Sequence, residues 1–343
     1  MRQRGDVKAL FARHAAWWRG EEMLVASVPY TPLGELWLPL KGGSLASEDI
    51  RVTPEILDLD RLVGPSEREG DLDFYGDRVR TRAPYVRVPW VEAVLGCPIR
   101  ATIQGGSMRT DSFVTDWTEW GNEEEHFHDN WFHALTTLTE MLVERSGGRY
   151  AVVQTLMRGP SDLAEAVLGP ELMCFSMYDH PDRLRRFLGE VTAVFIHVLK
   201  AQLERIPPLE GGYVNPFGVW APGTVVRTQC DASSFLSPAQ YAEWFLPYDI
   251  RICEAVDYSV IHLHSGSLHT VDALLEVERP HAIQISLDPE PSGPPVESLI
   301  PVLEKILAVK PLIVDGELSS GRVEHLQKRL PHGGLYISAR KEE

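Results

Sequence analysis

Tyr258-Ser-Val-Ile-His-Leu-His264 reads as a buried β-strand, and Ser265-Gly-Ser-Leu-His269 ends it. The run is short, apolar and β-branched, and turn residues bound it. Helical spacing precedes it over 238–256 and resumes over 270–277. A strand set between helices is the repeat unit of a parallel sheet. Working outward, further strand-like runs lie at 101–104, 150–156, 213–217, 225–229, 282–287, 312–314 and 335–338. Most are separated by segments with apolar residues at helical spacing: 127–145, 161–168, 181–205, 296–310 and 320–330. Ser237 before Pro238 and His180 before Pro181 mark helix starts. Eight strands alternating with helices predict an α/β fold, a (β/α)8 TIM barrel over residues 85–343. Residues 1–84, with helical spacing at 7–23, are expected to form an N-terminal extension packed on it. The runs at 213–217 and 225–229 are too close for a crossover helix, so one of them is expected to be a loop. An open doubly wound sheet is the alternative, but Gly105-Gly106-Ser107 lacks the third glycine of a dinucleotide-binding turn.

The balance of 33 basic and 49 acidic residues gives a net charge of −16, which argues against nucleic acid or an anionic membrane as partner. Small molecules remain, including anionic ones bound in a local basic pocket. Cys97, Cys174, Cys230 and Cys253 are scattered, with no disulfide framework or C-x-x-C pair. No apolar leader or long apolar span is apparent, so a cytoplasmic location is expected.

In a barrel, chemistry gathers where strands end. Residues two apart on a strand share a face, so His262 and His264 would converge at the barrel mouth. Such a pair suits either metal ligation or acid–base work near neutral pH. A metal would need a further ligand from another strand. Asp231, Asp288, Asp315 and Glu317 all follow strand-like runs, as do Arg158 and Arg340. Either arginine is a candidate to bind an anionic group. Gln104, Trp117 and Trp220 are candidate substrate contacts, and core packing is the competing fate of the two indoles. Glu123-Glu124-Glu125-His126-Phe-His128 reads as a surface face, since His126 and His128 lack the i, i+4 spacing of a helical metal site.

The segment Asp231-Ala-Ser-Ser-Phe-Leu-Ser-Pro-Ala-Gln-Tyr-Ala-Glu-Trp-Phe-Leu-Pro-Tyr248 resembles the aspartate-then-LSP/LPY stretch of the uroporphyrinogen decarboxylase superfamily. Gly159-Pro160 and Tyr178-Asp-His-Pro181-Asp-Arg-Leu184 are similar to its GP…DxPE segment, and His262-Leu-His-Ser-Gly266 follows at the family spacing. The resemblance implies one of two activities: decarboxylation of porphyrinogen-like substrates, or methyl transfer with a corrinoid partner and zinc. It also implies a homodimer. The decarboxylase's arginine-rich N-terminal motif has no counterpart, and Ser338-Ala-Arg340 stands where its late histidine would be. His264 stands where the methyltransferase has a cysteine ligand, and no cysteine follows Cys253. The sequence therefore points to a divergent member performing metal-assisted methyl transfer on a small substrate. His262 and His264 are the expected ligands, and Glu317 or Asp231 completes the shell. Decarboxylation, with His262 or Asp231 as proton donor, is the alternative; a non-catalytic tetrapyrrole- or corrinoid-binding barrel is the third.

Overall fold

The computed structural model describes residues 4–30, 36–121, 126–289 and 291–342. Glu123, Glu124 and Glu125 lie outside them. Six parallel strands form the central sheet: β1 (Leu24–Tyr30), β4 (Val225–Gln229), β5 (Tyr258–His264), β6 (Ala282–Ser286), β7 (Leu312–Glu317) and β8 (Leu335–Glu342). Their spatial order is β1-β8-β7-β6-β5-β4. A second parallel pair consists of β2 (Thr81–Arg82) and β3 (Ala151–Val152). Gln154, just past β3, reaches β4: its side-chain NH2 donates to Arg227 O at 2.8 Å, and its oxygen accepts from Arg227 N at 2.8 Å. Among the described residues no strand ladder joins the pair to the sheet, so the eight parallel strands are not shown as a closed barrel.

Helices make the crossovers. α1 (Arg4–Trp18) precedes β1. α2 (Asp129–Glu144) leads to β3, and α3 (Pro160–Asp179) and α4 (Pro181–Arg205) follow it. α5 (Pro238–Trp244) and α6 (Leu246–Glu254) join β4 to β5; α7 (Val271–Leu275), α8 (Val296–Leu307) and α9 (Ser320–Arg329) fill the later connections. Ser237 caps α5 through a full capping box with Gln240, as the Ser-Pro signal implied. The helix expected over 238–256 divides at Phe245, one residue before the Leu246-Pro247 start of α6. No described helix is long and apolar enough to cross a membrane.

Two corrections to the sequence reading concern the sheet. Leu24–Tyr30 lies inside the segment expected to pack outside the barrel, yet it pairs along its whole length with β8. The runs at 101–104 and 213–217 are not barrel strands. Ile99–Thr102 pairs antiparallel with Ser107–Thr110, and Tyr213–Val214 with Trp220–Ala221. Apolar content signals burial, but it does not say in which direction a partner strand runs.

Alternate residues of the parallel strands enter two different cores. Val226, Ile261, Leu263, Ile283, Ile285, Leu312, Val314, Leu335 and Ile337 pack against the helices. Val225, Val260, Ala282, Ile313 and Tyr336, near the amino ends of their strands, form a separate cluster with Trp17 and Trp18 of α1. That second face turns polar as the strands proceed: two residues on stand Arg227, His262, Gln284, Asp315 and Ser338.

Candidate functional site

The polar half of this face holds the two histidines. Strand register aligns Gln229 with His262 and His262 with Gln284, so three polar side chains stand in one row across β4, β5 and β6. His262 is buried, and its Nδ1 meets Gln284 Oε1 in a short hydrogen bond. With a carbonyl oxygen as partner, Nδ1 carries the proton and Nε2 keeps its lone pair. Burial, and then the neighbouring Arg227 guanidinium, hold the His262 imidazole well below its usual proton affinity, so the ring is neutral.

His264 stands at the exposed rim. Its ring lies edge-on to that of His262, with centroids 4.8 Å apart. Nδ1 sits 2.6 Å from Asp288 Oδ1, so Nε2 is the ring nitrogen turned away from that pair. Asp288 also accepts from Ser265 Oγ and Gly266 N, both at 3.1 Å. Burial opposes its charge, but the bonds from His264, Gly266 and Ser265 prevail and lower its pKa.

Asp231 closes the group. It begins a 3-10 turn immediately after β4, and its Oδ2 lies 3.9 Å from His264 Nε2. One ligand atom each from Asp231, His262 and His264 fall within 4.8 Å of one another. Gln229 Nε2 donates to Asp231 Oδ2 at 2.6 Å and to Asp162 Oδ2 at 3.0 Å. Asp162, in the first turn of α3, in turn accepts Ala232 N at 2.7 Å and so anchors the turn that carries Asp231. Burial, reinforced by Asp162, pushes the Asp231 carboxyl up to about 6. Gly159 makes this junction possible: a Cβ there would lie 2.3 Å from Gln229 O and 2.8 Å from Thr228 Oγ1. Only glycine lets the start of α3 approach β4 so closely. This is a physical reason for the Gly159-Pro160 step noted in the sequence.

The remaining candidates scatter. Glu317 and Arg340 sit on the same sheet face at the ends of β7 and β8, in register with each other. Glu317 lines a groove with Asp288, Pro289 and Arg322 and is not in the ligand group, so the geometry brings Asp231 rather than Glu317 to the histidines. Arg340 pairs with Asp315 at 3.2 Å. Arg158 follows β3 but is committed to the buried Glu92 carboxylate; burial works against its charge, and Glu92 and Asp162 outweigh that. Trp117 is packed in the helical core, with its Nε1 donating to Ser176 Oγ at 2.9 Å and its ring edge-on to Phe187. Trp220 lies beyond the opposite, amino-terminal end of β4. It stacks on Phe11, and its Nε1 donates to Leu209 O at 2.8 Å. Gln104 is exposed in the antiparallel hairpin turn. The fate of both indoles is core packing, which satisfies their N–H groups internally.

Sequence reasoning missed Arg227, Gln229, Asp162 and Gln284. A signal was present for three of them: a polar residue within an otherwise apolar buried strand, as in Val225-Val-Arg-Thr-Gln229 and Ala282-Ile-Gln-Ile-Ser286.

The donor set suits a divalent ion. Two imidazoles can offer Nε2, each oriented through Nδ1 by a hydrogen-bond acceptor, and a carboxylate is held by Gln229. Such sets of two histidines and one carboxylate leave coordination positions open for a substrate. With no thiolate in reach, the set is harder than one containing cysteine. Cys230 is buried and its thiol is pushed well up by burial, away from the ligand form.

No family model matches the sequence, and no curated protein matches it. Among solved structures, the chain is similar to a methyltransferase from Methanosarcina mazei, with 12% identity and a TM-score of 0.56, covering 97% of this chain and 93% of that one. At this identity the likeness speaks for a shared fold across nearly the whole of both chains.

Proposed function

We propose that the protein is a (β/α)8-barrel enzyme that carries out metal-assisted methyl transfer on a small substrate. In this reading β2 and β3 complete a barrel with the six-stranded sheet. The observation that carries the proposal is the convergence of His262, His264 and Asp231 at the carboxyl ends of parallel strands. That is where this architecture places its chemistry. The LSP/LPY segment is common to both activities of the superfamily it resembles; the fold likeness to a methyltransferase tips the reading to methyl transfer, for which the resemblance implies a corrinoid on a partner protein as donor.

A zinc or similar divalent ion held there would bind a substrate heteroatom, lower its pKa and supply a nucleophile at neutral pH. Gln284 and Asp288 fix the two imidazole rings with Nε2 toward the site. Burial and Arg227 keep His262 unprotonated. Gln229 and the Asp162–Ala232 bond position the Asp231 carboxylate.

Elemental analysis of the purified protein, paired with an assay of methyl loss from a methylcorrinoid, tests the proposal. The expected result is about one divalent ion per chain, with both metal and turnover lost in His264→Ala. A folded wild-type protein with no bound metal after zinc supplementation would overturn it.

A further inference from the structure

Among the described residues four arginines approach the polar half of the sheet: Arg78 spends its donors on Ser338 Oγ and Pro216 O, and two of the other three have carboxylate partners. Arg158 pairs with Glu92 and Arg340 with Asp315. Arg227 differs. It is 5% exposed, points into the same face as His262, and among the described residues has no carboxylate oxygen within ion-pair distance. Its side-chain hydrogen bond there runs from Nη1 to Gln229 Oε1. A guanidinium has five N–H donors, so most of its donor capacity is not spent on the protein. Gln229 also explains the separation from nearby acids. Its oxygen accepts from Arg227 while its NH2 donates to Asp162 and Asp231, so one amide stands between cation and carboxylates.

Keeping a buried guanidinium without a carboxylate partner is costly. Hydrophobic neighbours were available: Val225, two residues earlier on the same face, belongs to the apolar cluster below. We infer that Arg227 binds a carboxylate group of the substrate and sets its orientation beneath the His262–His264–Asp231 group. A planar two-oxygen anion matches the guanidinium fork in a bidentate pair. The substrate would thus be a small molecule bearing a carboxylate at one end and its reacting atom toward the histidines. The assignment rests on the reading of this face as a substrate site. It makes Arg227, rather than Arg158 or Arg340, the anion-binding residue.

The test uses the full chain stripped of divalent metal, so that a carboxylate ligating a metal gives no signal. Propionate labelled with 13C at the carboxyl carbon is titrated by NMR against wild type, Arg227→Met and Arg227→Lys, with propionamide as the uncharged control. Propionate should bind wild type at least tenfold more tightly than Arg227→Met, Arg227→Lys should fall between, and propionamide should bind none of them. Equal propionate binding by wild type and Arg227→Met overturns the inference. Thermal unfolding supplies the second arm. Arg227→Met should unfold at the same temperature as wild type or higher, because the substitution removes a buried charge that the fold itself does not need. A clear drop would mark Arg227 as structural and overturn the inference equally. Zinc titration of the same proteins keeps the two proposals apart: wild type that binds propionate but no zinc retains the anion site and defeats metal-assisted methyl transfer.

Discussion

The two ends of one sheet face are built from the same strands by opposite rules. At the amino end, Val225, Val260, Ala282, Ile313 and Tyr336 close against Trp17 and Trp18, and all seven side chains are buried. Two residues further along, the same face presents Arg227, which donates to Gln229, and His262, which is hydrogen-bonded to Gln284. The first end is held by area removed from water and by ring contacts such as Trp17 on Tyr336. The second gives up that stabilisation for polar groups whose orientation is fixed by register. The difference separates a floor that holds the sheet from a mouth that holds chemistry, and a substitution should injure one end without the other.

The largest effect is expected at the floor. Trp17→Ala deletes a fully buried indole and should cost about 3–5 kcal/mol of stability. Chemical denaturation would measure it, and zinc affinity of the protein that remains folded should be unchanged. A loss of metal affinity of the same size would show that the two ends are not separable.

Next is a buried acid beside the mouth. Asp249 is fully buried, accepts the Tyr241 hydroxyl at 2.8 Å, and is pushed up to about 8 by burial. A raised carboxyl pKa favours the protonated form in the folded state. Its contribution to stability is therefore full below about pH 4 and is lost as pH rises through about 8. Thermal unfolding between pH 5 and pH 8.5 should show wild type weakening relative to Asp249→Asn, with the gap widest at the alkaline end. Parallel curves would refute this.

The smallest effect belongs to an orienting side chain. Gln284→Leu removes the Nδ1 acceptor of His262 without touching the ligand group. Metal affinity should fall about 10–100-fold, the usual consequence of losing such a partner. Unfolding should move little, since leucine restores apolar packing.

How much of this could be read beforehand follows the same division. The strands from Tyr258 onward are legible, because each is a short apolar run between helices, whereas Val225–Gln229 follows the 213–221 hairpin too closely for the sequence to decide which of the two runs is the strand. The parity argument also placed His262 and His264 on one face correctly, since a strand's period is local information. Leu24–Tyr30 was missed: lying beyond one helix, it had no repeating strand–helix context around it. Thr81–Arg82 is too short and polar to register as a strand at all. The third member of the ligand group was less accessible still. Asp231 and Glu317 both follow strand-like runs, and choosing between them needs the knowledge that β4 is the neighbour of β5. Gln284 likewise becomes a partner of His262 only through the register of two strands.

The ligand group has Asp231, not Glu317, beside the two histidines. Calorimetric titration of zinc into metal-stripped wild type, His262→Ala, His264→Ala, Asp231→Ala and Glu317→Ala addresses it directly. Wild type and Glu317→Ala should each bind one equivalent, and the other three should lose at least 100-fold in affinity. Retained binding in Asp231→Ala with loss in Glu317→Ala, or no binding by folded wild type, would contradict it.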